Sequence, residues 1–287
     1  RGHRHRHYAR AETINERALS FVDSTEEPFF LWSHYMDPHG PYSPPREYQT
    51  VYHDEYVGMK RAQELYRRAA VTDPESITEA ERQEMVNLYD EEIRYADAQL
   101  GAFLDGLEKR GLLEETMVIV TADHGDAFGE HGYYGHPRQL NDELLRVPLA
   151  VSAPGMSAEV PVPVSTADVV PTVLETADVS SGKLPGESLF VIAESPGTFS
   201  DRVVFSQVQN ENGDRRRYVA RGQGKGCLME RATGTGDVTV EPSETKLGET
   251  LRAHSSKRSG TQAGNDEREG GESNKNVERR LEALGYK

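Results

Sequence analysis

Helical spacing of apolar residues is the first pattern along this chain. Glu84 to Arg110 carries one apolar face, and Gly111 stands where such a helix would end. Ala11 to Val22 has a shorter face of the same kind. The stretch "STADVVPTVLETADV", with Pro171 near its start, favours a capped helix. We therefore predict one long helix and two shorter ones.

Short apolar runs form the second pattern. Phe29 to Trp32 lies between Pro28 and a polar turn, and Val118 to Thr121 is rich in β-branched residues. A third run, "VPLAVSAP", begins at Val147. These runs predict buried strands, and a long helix followed by an apolar strand is typical of a parallel sheet with helices on its faces. The expected fold class is α/β, with a mixed, largely parallel sheet flanked by helices.

The chain changes character near Ser200. The stretches "DRVVFSQV" and "RRRYVAR" predict two strands, with the turn-like "ENGD" between them. Residues 255 to 276 are poor in apolar side chains and predict a loop, and "VERRLEALGYK" predicts a closing amphipathic helix. We expect an α/β domain over residues 1–198 and a small C-terminal α+β subdomain over residues 199–287.

The charge balance argues against one class of partner. Asp and Glu number 48 against 33 Lys and Arg, which gives a net charge of −15. No basic patch with interleaved aromatic residues occurs, so we expect no nucleic acid partner. The acidic, Lys-poor composition favours a surface adapted to high salt, and an ordinary acidic soluble protein is the alternative.

Cysteine usage and hydropathy add two expectations. Cys227 is the only cysteine, so no internal disulfide can form. No run of about 18 apolar residues occurs, so we expect no membrane span. The first residues contain no apolar signal-peptide core. A cytoplasmic location is therefore favoured.

Metal-capable and proton-capable side chains follow the run Val118–Thr121. Asp123 and His124 come directly after it, and His136 lies twelve residues beyond His124. In open α/β sheets, ligands bind beyond the carboxyl ends of the strands. Carboxylates suit hard divalent cations, and histidine serves as a ligand, a proton shuttle or an anion donor. A turn or an N-cap around Asp123 is the simpler alternative.

A second cluster follows the run Phe29–Trp32. His34, Asp37 and His39 lie there, the last two inside the Pro-rich "DPHGPYSPP". His39, like His136, sits in a loop framed by Gly and Pro, where functional groups concentrate. For His34 we favour a half-buried, hydrogen-bonded histidine, and for Asp37 the turn chemistry of an Asp-Pro pair.

Three residues of "GDAFGEHGYY" have simpler interpretations. Asp126 and Glu130 fit solvated charges, and His131 fits a hydrogen bond to the loop backbone.

Together these segments carry a family pattern. "PFFLWSHYMDPHGPYSPP", followed by the stretch from "YDEEIRYADAQL" to "TADHGDAFGEHGYYGHPRQL", resembles the sulfatase family of the alkaline-phosphatase superfamily. "TADVVPTVLETADV" and "PGESLF" continue in the family's order, and "VERRLEALGYK" is similar to its C-terminal helix. The resemblance implies an alkaline-phosphatase-like α/β domain, followed by a small C-terminal antiparallel sheet with a helix.

The resemblance also implies roles for four residues. Asp123 and His124 match the pair that ligates one divalent cation, usually Ca²⁺, in this family. His39 matches the substrate-contacting histidine of the "PHxP" loop, and His136 matches a Lys or His that contacts the sulfate. The resemblance thus implies that His39 and His136 are catalytic and substrate-binding. A cation with cationic donors around it neutralises charge on the transferring group.

One family segment has no counterpart in these residues. Sulfatases make their formylglycine nucleophile from the Cys or Ser of a "C/S-x-P-x-R" segment, near two further Asp ligands and a sulfate-binding Lys. Cys227 lies in "GKGCLME", without Pro or Arg at the required offsets, which favours a structural role. We therefore expect the C-terminal part of a sulfatase, inactive and poorly stable by itself.

The predicted function is metal-dependent hydrolysis of a small-molecule or glycan sulfate ester. Phosphodiesterases and phosphonate monoester hydrolases of the same superfamily share the "DHG" segment, so phosphoryl transfer is an alternative. A non-catalytic relative that binds an anion is another. The Arg-rich stretch 214–218 suits an acidic substrate, but a solvated strand edge is the favoured interpretation.

Overall fold

The computed structural model describes residues 8–26, 28–49, 51–53, 55–154, 159–180, 182, 184–210, 212–222, 224–232, 238–242 and 245–261, with side chains up to residue 256. These residues form two compact units. The first unit holds the residues up to Glu115 together with Ala127–Gly135. The second holds Thr116–Asp126 and the residues from His136 onwards.

Helices and short strands alternate in the described residues. The helices are α1 (Ala11–Asp23), α2 (Met59–Arg67), α3 (Glu79–Glu108), α4 (Asp142–Leu145), α5 (Val169–Thr176), α6 (Leu189–Glu194) and α7 (Lys246–Thr261). The strands are β1 (Val118–Thr121), β2 (Ala127–Phe128), β3 (Tyr134–Gly135), β4 (Leu149–Ser152), β5 (Val204–Gln209), β6 (Arg215–Gly222), β7 (Lys225–Ala232) and β8 (Val238–Glu241). The three helices expected from apolar spacing are confirmed as α1, α3 and α5.

An aromatic cluster forms the core of the first unit. The ring of Tyr42 lies 5.5 Å from that of Tyr66, 5.2 Å from that of Tyr89 and 5.7 Å from that of Phe128. Leu65 from α2 and further buried apolar side chains of α3 pack into the same cluster. The Pro-rich loop around Tyr42 is therefore anchored on α2, α3 and the β2–β3 hairpin by apolar burial.

Two antiparallel sheets organise the second unit. β1 pairs with β4, and Val118 lies opposite Ser152. β5, β6, β7 and β8 form an antiparallel meander, and Leu251 of α7 is buried in its core with Tyr218 and Met229. The small C-terminal antiparallel sheet is thus confirmed.

Cys227 of β7 belongs to this core and is buried. Its burial raises the pKa of the thiol, which disfavours the reactive thiolate. A structural role fits this environment.

The strand predictions need three corrections. Phe29–Trp32 forms no strand, because a strand needs a neighbour to hydrogen-bond with and none of the described residues pairs with it. The sheets within the described residues are all antiparallel, so the largely parallel sheet is not found there. β1 is also partly exposed, and β4 is mostly exposed, where both were expected to be buried. Apolar runs indicate strands but carry no information on the direction of the partner strand.

The C-terminal predictions are corrected in part. Residues 255 to 261, expected in a loop, belong to helix α7. The helix predicted for "VERRLEALGYK" lies outside the described residues, and the domain boundary at residue 198 stays a prediction. No helix in the described part of the chain is both long and apolar enough to cross a bilayer.

Candidate functional site

Asp123 and His124 lie in the turn that follows β1. The carboxylate of Asp123 is half-exposed, and its Oδ1 accepts a hydrogen bond from the backbone N–H of His124 at 3.1 Å. Its Oδ2 lies 3.9 Å from Nε2 of His124. The turn thus brings a carboxylate oxygen and an imidazole nitrogen of adjacent residues close together.

The backbone also sets the tautomer of His124. Its Nδ1 lies 2.9 Å from the carbonyl oxygen of Gly125, which can only accept, so Nδ1 carries the proton. In the neutral ring the lone pair is then on Nε2, the atom nearer to Asp123. Backbone carbonyls commonly hold metal-binding histidines in this way.

Gly125 is required by a close approach of the backbone. Its N–H donates to the carbonyl of Leu144 at 3.0 Å. A Cβ at this position would lie 2.1 Å from the carbonyl oxygen of Glu143. The glycine of the Asp-His-Gly tripeptide therefore lets the turn pack against α4.

The ring of His136 lies beside the ring of His124. Ala127 pairs with Gly135 in the β2–β3 hairpin, so the residues that flank the hairpin come together. The ring centroids of His136 and His124 lie 4.1 Å apart, with the planes tilted by 33°. The structure thus brings three of the four predicted site residues together, namely Asp123, His124 and His136.

Two ligands of the expected cation site are therefore adjacent. Oδ2 of Asp123 and Nε2 of His124 lie 3.9 Å apart, so a single cation with ligand distances of about 2.3–2.6 Å can bind both atoms. Across the residues that the structure describes, no group of three or more His, Cys, Asp and Glu side chains is arranged to hold a metal. Asp123 and His124 fit a cation site as a partial ligand set, since Ca²⁺ takes about six to eight oxygen ligands.

The segment after His136 is held by arginines of β6. Arg217 donates to the side chain of Gln139, and Arg221 forms an ion pair with Asp142. Arg217 also pairs with Glu230 at 2.8 Å. The favoured interpretation of residues 214–218 as a solvated strand edge is thus wrong for Arg217. Arg217 contacts Gln139, which lies far from it in the sequence.

His39 lies in the first compact unit and is half-buried. Its backbone N–H donates to the carbonyl of Met36 at 2.7 Å, and its Nδ1 lies 2.7 Å from the carbonyl oxygen of Gly40. This contact again places the proton on Nδ1, as in His124. A Cβ on Gly40 would lie 2.2 Å from the ring of Tyr66, so the loop packs tightly at its glycine.

Two neighbours of His39 differ from their predicted environments. Asp37 is 3% exposed, and it accepts from Nη1 of Arg10 and from the backbone N–H of Ala11, each at 3.0 Å. Its role thus extends beyond the local turn that was favoured. His34, expected to be half-buried, is exposed, because its segment has no strand partner among the described residues. Arg10 is the partner that sequence reasoning missed, since no pattern links it to Asp37.

The residues with simpler predicted roles lie in the β2–β3 hairpin and directly before it. Glu130 is exposed, but its carboxylate also accepts the backbone N–H of Phe128 at 2.6 Å. His131 is exposed and its ring stacks on that of Tyr133. Asp126 is partly buried rather than fully solvated.

A family model and curated relatives match this chain. The model described as Sulfatase matches residues 3–179. An uncharacterized sulfatase YidJ from Escherichia coli is 31% identical over 207 residues, which cover 65% of this chain and 40% of the relative. Choline-sulfatase from Rhizobium meliloti is 27% identical over 176 residues, which cover 55% of this chain and 33% of the relative. The chain therefore spans less than half the length of these relatives.

Solved structures share the fold. Phosphonate monoester hydrolase of Agrobacterium radiobacter has a TM-score of 0.63 at 17% identity, covering 88% of this chain and 60% of its own. BT4656, solved in complex with its substrate D-glucosamine-2-N,6-O-disulfate, has a TM-score of 0.59 at 16% identity, covering 96% of this chain and 70% of its own. This likeness confirms the alkaline-phosphatase-like α/β fold class, while the site roles stay predictions.

Proposed function

This chain belongs to the sulfatase family, and we propose that it contributes to the active site of an enzyme that hydrolyses sulfate esters. The observation that carries the proposal is the convergence of Asp123, His124 and His136 at the end of β1, with the two imidazole rings 4.1 Å apart. A carboxylate beside two imidazoles suits a cation and an anionic group bound next to each other.

Asp123 and His124 would hold one divalent cation, and Ca²⁺ is the proposed ion. The cation, when bound, would neutralise charge on the ester oxygens. Asp123 would supply a carboxylate oxygen, and His124 would supply Nε2, since its Nδ1 is held by the carbonyl of Gly125. The N–H donation to Gly125 fixes the ring plane, which orients the ligand.

His136 and His39 would bind the sulfate. Each would donate a ring N–H to a sulfate oxygen or to the leaving oxygen as charge develops there. Nδ1 of His39 donates to Gly40, so only the imidazolium form of the ring, protonated at both nitrogens, would also donate from Nε2 to the substrate. The nucleophile proposed from the family resemblance is a formylglycine, which would come from outside these 287 residues.

The proposed substrate is a small-molecule or glycan sulfate ester. Two similar proteins support this range, because one is named as a choline-sulfatase and the other was solved with a glucosamine disulfate. Hydrolysis of a phosphonate monoester is a second candidate, which the similar fold of a phosphonate monoester hydrolase favours.

Calcium binding is the first test of the site. We expect Ca²⁺ to raise the melting temperature of the native enzyme, and Asp123→Asn to abolish the increase, because the neutral amide is a weaker ligand. At a calcium concentration ten times Kd, the stabilisation is about 1.4 kcal/mol. Asp105→Asn, on the exposed surface of α3, is the matched control and should retain the increase. An equal increase in all three proteins would refute the assignment.

Catalysis is tested on the native enzyme, meaning the protein that includes the proposed formylglycine nucleophile. We expect kcat/KM on an aryl sulfate to fall by about 10²–10³ in His136→Ala and in His39→Ala, as on removal of one donor to a developing oxyanion. An aryl phosphonate measured in parallel separates the two candidate activities. Wild-type levels of turnover in both variants would exclude the proposed roles.

A further inference from the structure

One guanidinium joins two buried carboxylates beside the loop of His39. Nη1 of Arg10 lies 3.0 Å from Oδ1 of Asp37 and 3.2 Å from Oε2 of Glu92. Its Nη2 donates to the backbone carbonyl of Ser43. Glu92, on α3, is 1% exposed. These three charged groups therefore interact away from bulk solvent, where electrostatic attraction is strong.

The same carboxylates hold the backbone on both sides of His39. Oδ2 of Asp37 accepts from the N–H of Ala11 at 3.0 Å. Oε1 of Glu92 accepts from the N–H of Ser43 at 2.8 Å. His39 lies between these two fixed points, two residues after Asp37 and four residues before Ser43. The loop is thus fastened to the start of α1 and to the middle of α3.

The neighbouring residue of α3 extends this attachment. Glu91 is fully buried, its Oε2 lies 3.0 Å from Nδ1 of His53, and its Oε1 accepts from the N–H of Tyr52 at 3.2 Å. Two consecutive glutamates of one helix thus hold two stretches of the segment that follows His39.

Burying charged groups by itself adds little to the free energy of unfolding. Removing a charge from water costs several kcal/mol, and apolar side chains of similar volume often stabilise a protein as well. Fully paired buried networks instead select one geometry of the chain. The charges here are concentrated where the backbone enters and leaves the segment of His39.

We propose that Arg10, Asp37 and Glu92 are positioning residues that fix the imidazole of His39 for work on the sulfate ester. This inference rests on the proposed function of His39. The three residues act through the loop backbone and have no contact with the substrate in this role. A displacement of about 1 Å at a catalytic group is enough to lower a rate by about 10²-fold.

A matched pair of arginines tests the proposal. Arg10 links the start of α1 to the middle of α3. Arg110, which follows the end of α3, links it to the end of α1, because its Nε lies 2.6 Å from Oδ1 of Asp23. In the native enzyme, we expect Arg10→Met to lower kcat on an aryl sulfate by about 10- to 100-fold with a small change in KM. Arg110→Met should leave kcat unchanged, since Arg110, among the described residues, donates to Asp23 and to the carbonyl of Gly106, away from the loop of His39.

A double-mutant cycle separates positioning from general destabilisation. If Arg10 acts through His39, Arg10→Met added to His39→Ala changes kcat by less than about twofold. Glu92→Gln provides a second variant of nearly unchanged shape if Arg10→Met folds poorly, and its effect on kcat should vanish in the same background.

The outcomes separate this inference from the proposed function. Two results would overturn the positioning role while His39 remains essential. One is that the losses of kcat in the single variants multiply in the double mutants. The other is an unchanged kcat in folded Arg10→Met and Glu92→Gln. Absence of sulfatase activity in the wild-type enzyme would instead overturn the proposed function, and full activity of His39→Ala would overturn the role of His39 on which this inference rests.

Discussion

Gly125 is the residue of the Asp-His-Gly tripeptide that has no room for a side chain. The carbonyl oxygen of Glu143 lies where its Cβ would be, 2.1 Å away. The obstacle is backbone, which cannot rotate aside as a flexible side chain would. The tripeptide is therefore shaped by packing against α4 as well as by the chemistry of Asp123 and His124.

Replacing this glycine should damage both the fold and the site. We expect Gly125→Ala to lower the free energy of unfolding by about 1–3 kcal/mol, because overpacking forces the backbone to shift. Gly101→Ala is the control, since nothing lies within 4 Å of its Cβ position in α3, and alanine should stabilise that helix by about 0.5–1 kcal/mol. Urea unfolding measures both values, and an unchanged Gly125→Ala would contradict the packing argument.

Residues of the site were predictable to different degrees. The sequence places Asp123, His124 and His136 near one strand end, and the observed contact between the two rings agrees with that placement. The sequence does not predict the buried ion pair of Asp37, because the partner Arg10 is 27 residues away and the burial of Asp37 depends on tertiary structure. Local turn chemistry is visible in a sequence, whereas a long-range ion pair is not.

At the scale of elements, a reciprocal capping box defines the start of α3. Thr78 and Glu81 form a reciprocal capping box, and Glu81 also pairs with Arg61 at 3.3 Å and with Arg68. The hydrogen bond from Arg68, with that from the backbone of Thr78, lowers the pKa of Glu81 to about 2. A carboxylate with a lowered pKa stabilises the fold above its ordinary pKa and loses that contribution as the pH falls through the lowered value.

Acid should therefore remove the contribution of Glu81. We expect Glu81→Gln to be less stable than the wild type at neutral pH, and the difference to shrink as the pH falls from about 4.5 towards about 2. Thr78→Ala, which keeps the carboxylate, should cost about 1 kcal/mol at neutral pH through the lost N-cap. Urea unfolding across this pH range is the measurement, and a difference that stays constant with pH would show that the charge of Glu81 is unimportant.

Element type was predictable where the pattern was long. The apolar spacing of α3 identified the helix, but not which residues face the core, since Ile93 is 43% exposed while Glu91 and Glu92 are buried. Those glutamates bind backbone N–H groups of distant segments, a use that hydropathy does not reveal. Among the strand predictions, Phe29–Trp32 was wrong, because a short apolar run becomes a strand only where a neighbour pairs with it.

At the scale of the whole molecule, apolar side chains of two predicted strands remain exposed. Phe30 is 67% and Trp32 is 74% exposed in the first unit. Val151 of β4, in the second unit, is also exposed. Where exposed apolar side chains form a contiguous patch, they mark a surface that other protein segments cover, or that drives self-association. The expectation that the chain is poorly stable alone stays a prediction, and these surfaces give it a physical cause.

Trp32 is the only tryptophan, so its fluorescence reports directly on this exposed segment. We expect the isolated 287-residue chain to emit like an indole in water, to be quenched readily by acrylamide, and to change little in either respect on unfolding in urea. The reason is that the indole loses little protein contact when a side chain that is already 74% exposed unfolds. The single Trp32→Lys variant, which removes all indole emission, provides the background and should also associate less with itself, because a charge replaces an exposed apolar ring. A blue-shifted, poorly quenched emission that moves to the red in urea would contradict this expectation and show that the segment is covered, either by this chain or by a second copy. Light scattering at several protein concentrations would distinguish these two arrangements.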